Sequence, residues 1–344
     1  CLSCQACLSE CPSSVDMSKL KAEFLYQYYQ THRLPFRSWF FANIAEISKL
    51  AQPFSFLINP ILNSPLGKSI SLLGIDPDRD MPVFARQTFT QWYTKHHRPK
   101  QTGSTSRAVF FYDTYLEYNY PHIGQALSLI FDKAGLELIV LEGKVDSGRP
   151  AYSKGVLDKA QHLAKINLEL LAPYAEEGIP IIGCEPSVVV MLTKEYLDLV
   201  PGPIANIVAE QSSLVEDFLL KEIKAGRANF RFDHKPRQIL FHGHCQHKSI
   251  FGTESTLALL NSIPECSVEQ VEAGCCGMAG AFGYEKEHYQ VSMQIGEQTL
   301  FPAVRKASSD TVISANGTSC RHQIKDGTQR EAKHPVTILK EALV

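Results

Sequence analysis

The chain has 344 residues, 44% of them hydrophobic, which is enough for two or three domains with buried cores and argues against a disordered protein. Its 34 Lys and Arg residues against 36 Asp and Glu residues give a formal net charge of -2, so nothing in the composition favours nucleic acid as a partner. The longest uncharged stretch, residues 50–67, contains three prolines and two asparagines, which excludes a membrane-spanning helix and leaves membrane contact that is at most peripheral.

Residues 1–13 open with the letters CLSCQACLSECP, which follow the spacing C-x2-C-x2-C-x3-C-P of bacterial ferredoxins. Such short gaps let thiolates from one loop bind neighbouring irons of one 4Fe-4S cluster. We expect Cys1, Cys4 and Cys7 to share a cluster, and Cys11 to bind a second one. Residues 1–13 would then be the second half of a ferredoxin-type motif, with more chain upstream. The alternatives are free thiols or zinc, which four thiolates also bind.

Residues 14–97 predict helices, because apolar side chains such as Leu20 and Phe24 recur at steps of three and four residues. Asp16 is the predicted cap of the first of these helices. The polar stretch at 98–107, RPKQTGSTSR, predicts a linker into a different architecture.

Beyond the linker, short apolar runs alternate with helical segments, and the same order returns in the second half. We therefore predict two repeats, at 108–235 and 236–344. The predicted fold class is α/β, with an amino-terminal α-helical ferredoxin-type segment and a duplicated α/β domain with mostly parallel sheets.

Three loops recur in the two repeats where predicted strands end, and ligands collect at the carboxyl ends of parallel strands. In the second repeat these loops carry cysteines, namely Cys245, Cys275, Cys276 and Cys320. The first repeat has other residues at about the same places, namely Asp113, Asp146, Ser147 and Val188. The second repeat therefore carries candidate metal ligands in these loops, whereas the first repeat lacks such cysteines.

Two adjacent thiolates on a glycine-flanked loop can both point at one polynuclear centre, which makes Cys275 and Cys276 candidate ligands together with Cys245 and Cys320. The alternative is that the pair is buried filler, because unpaired cysteine is often buried. Four histidines near this group could replace a thiolate or donate hydrogen bonds to sulfur: His242, His244, His247 and His322. Cys184 and Cys266 are predicted not to be ligands.

The sequence contains no P-loop, no H-E-x-x-H, no G-x-S-x-G and no dinucleotide G-x-G-x-x-G motif. No catalytic residue is therefore predicted. The grouped cysteines and the absence of a secretory signal predict a cytoplasmic protein, at most peripheral to the inner face of the membrane.

The opening residues CLSCQACLSECPSSVDMSKLKAEFL resemble the ferredoxin-type motif of bacterial FAD-linked oxidoreductases similar to D-2-hydroxyglutarate, D-lactate and glycolate dehydrogenases. The segments HGHCQHK, AGCCGMAGAFGYE and ANGTSCRHQI resemble the cysteine-rich CCG domain pair, which is shared with heterodisulfide reductase. The first copy lacks the cysteines of the family pattern, and Gln323 stands where the second copy would have its last one.

This resemblance implies an iron-sulfur module that relays electrons from flavin to an acceptor, in an oxidoreductase that oxidises a 2-hydroxy acid. FAD would be bound by a flavin-binding domain upstream or in a separate subunit, and the acceptor would be a quinone or a carrier protein. The chain by itself is then not expected to be catalytic. The CCG site would hold a second iron-sulfur cluster or zinc.

Two other functions stay open on the sequence. One is a thiol-disulfide reductase of the heterodisulfide type acting at Cys275 and Cys276. The other is a structural zinc domain that docks a flavoprotein onto a partner.

Overall fold

The structure is a computed structural model and describes residues 1–62, 64–96 and 106–344. Most of the predicted linker at 98–107 lies outside the described residues. Within them, two units of parallel sheet follow an amino-terminal helical region, and the sheets lie on either side of residue 235 in the chain.

The amino-terminal region is built from short helices, as the apolar periodicity predicts. Asp16 caps α2, because its Oδ1 accepts hydrogen bonds from the backbone N–H groups of Ser18 at 2.9 Å and Lys19 at 3.0 Å. The α-helices are α1 (Cys7–Glu10), α2 (Met17–Thr31), α3 (Phe36–Ala42), α4 (Ile44–Ala51), α5 (Ser55–Leu62) and α6 (Phe89–His96). Two 3-10 helices accompany them, at Gln52–Phe54 and Pro65–Leu73.

Each repeat contains a four-stranded parallel sheet, which confirms the predicted fold class. The first sheet has the order β2-β1-β3-β4 and the second the order β6-β5-β7-β8, so corresponding strands take the same places. The strands are β1 (Arg107–Phe110), β2 (Glu137–Val140), β3 (Ile181–Gly183), β4 (Ser212–Leu214), β5 (Arg237–His242), β6 (Cys266–Gln270), β7 (Val312–Ala315) and β8 (Ala332–Lys333).

Helices connect the parallel strands, as parallel pairing requires. The first repeat contains α7 (Thr114–Tyr118), α8 (Pro121–Ala134), α9 (Arg149–Ser153), α10 (Leu157–Glu176), α11 (Pro186–Val190), α12 (Tyr196–Leu199), α13 (Pro203–Gln211) and α14 (Val215–Lys224). The second contains α15 (Glu254–Asn261), α16 (Tyr289–Gln298), α17 (Leu300–Lys306), α18 (Thr318–Thr328) and α19 (Pro335–Ala342). Two π-helical turns lie at Met191–Glu195 and His247–Phe251, and a 3-10 turn lies at Phe282–Tyr284.

The two repeats share an apolar core. Phe110 and Ile182 of the first sheet belong to the same buried cluster as Ile239 and Leu259 of the second repeat. The helical region is tied to the second repeat by Arg79, whose fully buried guanidinium pairs with Asp326 at 2.7 Å. The carboxyl-end loops of both sheets line one cavity together with the first residues of the chain.

Candidate metal centre

The four cysteines of the second repeat follow three neighbouring strands of its sheet. Cys245 lies three residues after β5, Cys275 and Cys276 lie in the loop after β6, and Cys320 lies in the first turn of α18, after β7. Because parallel strands end at the same edge of a sheet, residues far apart in the sequence meet there.

The side chains of these cysteines contact one another in sequence. Each thiol perturbs the pKa of the next one: Cys245 and Cys275 interact, as do Cys275 and Cys276, and Cys276 and Cys320. Three of the four side chains are buried, and that of Cys275 is half-buried. The contact with Cys275 and burial raise the pKa of the Cys245 thiol well above its usual value. A metal that binds here must therefore displace protons from clustered thiols.

His242, the last residue of β5, joins this group. One of its ring nitrogens and the Sγ atoms of Cys276 and Cys320 all lie within 4.8 Å of one another. Burial, Lys248 and His244 lower the pKa of His242 to about 3, so the ring is neutral at physiological pH. Thiols and neutral imidazole on one buried patch form a donor set that fits iron-sulfur clusters and zinc.

The loop that carries the cysteine pair depends on two glycines with positive φ. Gly277 has φ +97°, and a Cβ there would lie 2.2 Å from the backbone oxygen of Ser292. Gly280 has φ +62° in open space. The backbone N–H of Gly277 donates to Cys275 Sγ at 3.4 Å, so the loop places an amide on a candidate ligand sulfur.

The amino-terminal cysteines lie on a tight loop. The backbone N–H of Ser3 donates to Cys1 Sγ, and that of Met17 donates to Cys7 Sγ, both at 3.4 Å. Cys1 Sγ in turn reaches the carbonyl oxygen of Met17 at 3.7 Å, so Cys1 and Cys7 flank one residue. Ser3, at φ 57°, and Gln5, at φ 60°, turn the backbone around Cys4.

Cys11 stands apart from this loop in its surroundings. The pKa of its half-buried thiol is lowered by backbone N–H groups of Val15, Ser13 and Ser14. The pKa of the Cys4 thiol is instead raised, mainly by burial and also by the neighbouring thiols of Cys245 and Cys7. Among the described residues, Cys1, Cys4 and Cys7 do not approach one another as closely as His242, Cys276 and Cys320 do.

The amino-terminal loop packs against the second repeat. Helix α1 contacts the π-helical turn at His247–Phe251, and charge on Cys245 raises the pKa of Cys4. The Gln5 side chain is buried and donates to Glu195 of the first repeat at 3.0 Å. The two cysteine groups, separated by more than 230 residues of sequence between Cys11 and Cys245, are therefore neighbours in space.

A cavity of about 410 Å³ opens between the repeats and reaches both cysteine groups, at Cys1 and Cys245. Its wall in the first repeat includes the four residues that take the place of cysteines, namely Asp113, Asp146, Ser147 and Val188.

Burial and the neighbouring Glu185 raise the pKa of Asp113 to about 6. Glu185 also accepts a hydrogen bond from the backbone N–H of Thr318 at 2.7 Å, which fixes the start of the helix that carries Cys320.

The other histidines of the second repeat have partners. Nδ1 of His244 accepts a hydrogen bond from the backbone N–H of Gln246 at 3.3 Å, and Nδ1 of His247 contacts the Asn316 amide at 2.7 Å. His322 lies at the cavity wall between Tyr284, at 2.6 Å, and Tyr120. These histidines can be found from the sequence, because they lie close to the cysteines along the chain. Nothing in the sequence indicates that tyrosines contact His322.

Three further residues lie outside the sulfur chain. Cys184 is buried in the shared core, and Cys266 begins β6. The Gln323 amide donates to the backbone oxygen of Ser292 at 2.9 Å and so links α18 to α16. A second cluster of candidate metal donors comprises Glu285, Glu287 and His288, but its two carboxylates pair with Arg37 and Lys154.

Residues 239–325 match the family model of the cysteine-rich domain CCG. The match includes all four cysteines of the candidate centre and His242, and it confirms the resemblance seen in the sequence.

Curated relatives extend the similarity over the rest of the chain. A subunit of the anaerobic glycerol-3-phosphate dehydrogenase of Escherichia coli is 26% identical over 318 residues, which cover 92% of this chain and 79% of that protein. D-2-hydroxyglutarate dehydrogenase of Escherichia coli is 24% identical over 359 residues, which cover 100% of this chain and 34% of that enzyme. A subunit of the fumarate reductase (CoM/CoB) of Methanothermobacter marburgensis is 25% identical over 241 residues, covering 68% of this chain and 45% of that protein.

The chain thus spans most of one relative and about a third of another. Within the described residues, no helix is long and apolar enough to cross a membrane.

Proposed function

We propose that this chain is the iron-sulfur electron-transfer module of an FAD-dependent dehydrogenase that oxidises a small hydroxylated acid, such as a 2-hydroxy acid. The observation that carries the proposal is the convergence of His242, Cys276 and Cys320, whose donor atoms lie within 4.8 Å of one another, beside α1, which follows Cys4 and packs on the turn after Cys245. By name, one similar protein is a subunit of a dehydrogenase of glycerol 3-phosphate and another is a dehydrogenase of D-2-hydroxyglutarate, and both compounds are hydroxylated acids.

Eight cysteines would bind the metal in this proposal. Cys1, Cys4, Cys7 and Cys11 would serve 4Fe-4S clusters of the ferredoxin type, and Cys245, Cys275, Cys276 and Cys320 would hold the terminal centre. Flavin delivers electrons in pairs, whereas iron-sulfur clusters carry them singly. The packing of the Cys4 loop against the Cys245 segment supports a relay, because it brings the two sites close together.

The flavin would be bound by another domain or subunit, and the acceptor would be a quinone or a carrier protein. The glycerol-3-phosphate dehydrogenase relative is by name a subunit, which means that it is one chain of an assembly. We therefore expect the isolated chain to bind iron and sulfide and to lack dehydrogenase activity.

The test is an analysis of the full chain purified without oxygen. We expect iron and acid-labile sulfide in the wild type, and an electron paramagnetic resonance signal after reduction. Cys276→Ser should lose the terminal centre and keep the amino-terminal one. Cys266→Ser is the matched control, because this half-buried thiol lies outside the sulfur chain. Zinc without iron in the wild type would refute the proposal and favour the docking function.

A second candidate function, reduction of a small disulfide, is favoured by the cavity that reaches Cys245. The reaction would take two electrons and two protons and convert the disulfide into two thiols. Tyr284 and His322 line the cavity, and His322 also contacts Tyr120, so this chain of groups could pass protons into it. Turnover of a small disulfide by the reduced protein, abolished by Cys276→Ser, would support this function, and its absence would exclude it.

A further inference from the structure

The side chain of His242 is buried, with the residue only 1% exposed. Within the described structure, neither Nδ1 nor Nε2 of His242 has a partner. A buried polar group without a partner is unfavourable, because it loses its hydrogen bonds to water, and such groups in native proteins require an explanation. His247, which is equally buried, has its Asn316 partner at 2.7 Å.

The position of His242 supplies that explanation. It ends the central strand β5 of the second sheet, between the strands that lead to the other loops of the site. One ring nitrogen lies within 4.8 Å of both Cys276 Sγ and Cys320 Sγ. The unpartnered imidazole therefore faces the same point as the two most buried thiols of the group, whose residues are 2% and 0% exposed.

We propose that His242 is a direct ligand of the terminal metal centre, which makes that centre a mixed imidazole and thiolate site. The inference rests on the proposed function, since it requires a metal at these cysteines. Gln323, at the position where the family resemblance implies a last cysteine, is bonded to Ser292 and is not a thiolate donor. His242 supplies the additional donor from a different element, the end of β5.

An imidazole ligand changes the charge of the centre. A neutral nitrogen in place of a thiolate removes one negative charge, and histidine ligation of this kind raises the reduction potential of an iron-sulfur centre. His242→Cys should restore the charge and lower the potential. His242→Ala should leave one coordination position without a protein donor and reduce the metal retained after chelation.

The alternative role for His242 is an N–H hydrogen bond to sulfur, and nitrogen hyperfine coupling separates the two roles. The full chain would be purified without oxygen with 15N-histidine or natural histidine, reduced, and measured by electron-nuclear double resonance. We expect a strongly coupled nitrogen that changes with the isotope and disappears in His242→Cys. The same coupling should persist in His247→Gln, the matched buried control.

The outcomes distinguish the two proposals. A metal-loaded wild type with only weak nitrogen coupling, or a strong coupling that survives in His242→Cys, would overturn the ligand assignment and leave the electron-transfer function standing. A wild type without iron and sulfide would overturn both. The wild-type isotope comparison needs no substitution, so it holds even if a His242 variant does not fold.

Discussion

Gly277→Ala tests whether the loop geometry at the cysteine pair is required for the metal centre. An L-residue at the φ of +97° is strained, and the new Cβ would lie 2.2 Å from the backbone oxygen of Ser292. Positive φ costs about 1–2 kcal/mol and overpacking a further 1–3 kcal/mol or so, which together lower the free energy of unfolding by about 2–5 kcal/mol. The strain is relieved only if the loop moves, and Cys276 moves with it.

Two other glycines of the same loop separate the causes. Gly280→Ala adds positive-φ strain in open space, so we expect a loss of about 1–2 kcal/mol. Gly274→Ala meets nothing within 4 Å and has no positive φ, so we expect little change.

The assay is urea-induced unfolding together with iron content per chain. We expect both the denaturation midpoint and the iron content to fall in the order Gly274→Ala, Gly280→Ala, Gly277→Ala. If Gly277→Ala retained the iron content and the midpoint of Gly274→Ala, the geometry of this loop would not be what positions the thiolates.

Three further predictions concern the buried side chains of Glu216, Arg79 and Tyr284. Burial raises the pKa of Glu216 from 4.5 to about 8. Between these pH values the folded state keeps a proton that the unfolded state loses. The free energy of unfolding therefore falls as pH rises, by at most about 1.4 kcal/mol per pH unit. Glu216→Gln should remove that slope, measured as the difference in unfolding free energy between about pH 5.5 and pH 8; an unchanged slope would contradict the assignment. Arg79→Met leaves the Asp326 carboxylate buried without its partner and should cost about 3–5 kcal/mol in urea unfolding, whereas a loss below 1 kcal/mol or so would show that the ion pair is not needed. Tyr284→Phe should slow any disulfide turnover without changing the iron content, and a His322 substitution should then slow turnover less than it does in the wild type. Equal turnover rates in Tyr284→Phe and the wild type would exclude the tyrosine from proton delivery.

Much of the fold can be predicted from the sequence, because its signals are local. The apolar runs that become β1 and β5 are flanked by helical periodicity, and that alternation is enough to indicate parallel α/β repeats. The strands β4 and β8 have no such signal, because Ser212–Leu214 and Ala332–Lys333 are too short to show a pattern. They exist because a neighbouring strand offers them backbone partners.

The sequence alone identifies the residues that could bind metal, because the gaps between the cysteines of CLSCQACLSECP and the adjacency of Cys275 and Cys276 can be read from it directly. Only the packed molecule brings Cys4 towards Cys245 and lines a cavity with the residues that replace cysteine in the first repeat. Packing also singles out His242 among the histidines near Cys245 and Cys320, because only the fold shows that its ring is buried and has no partner among the residues that the structure describes. Such distances depend on how strands and repeats assemble over more than 200 residues, and residue spacing carries no information about that assembly.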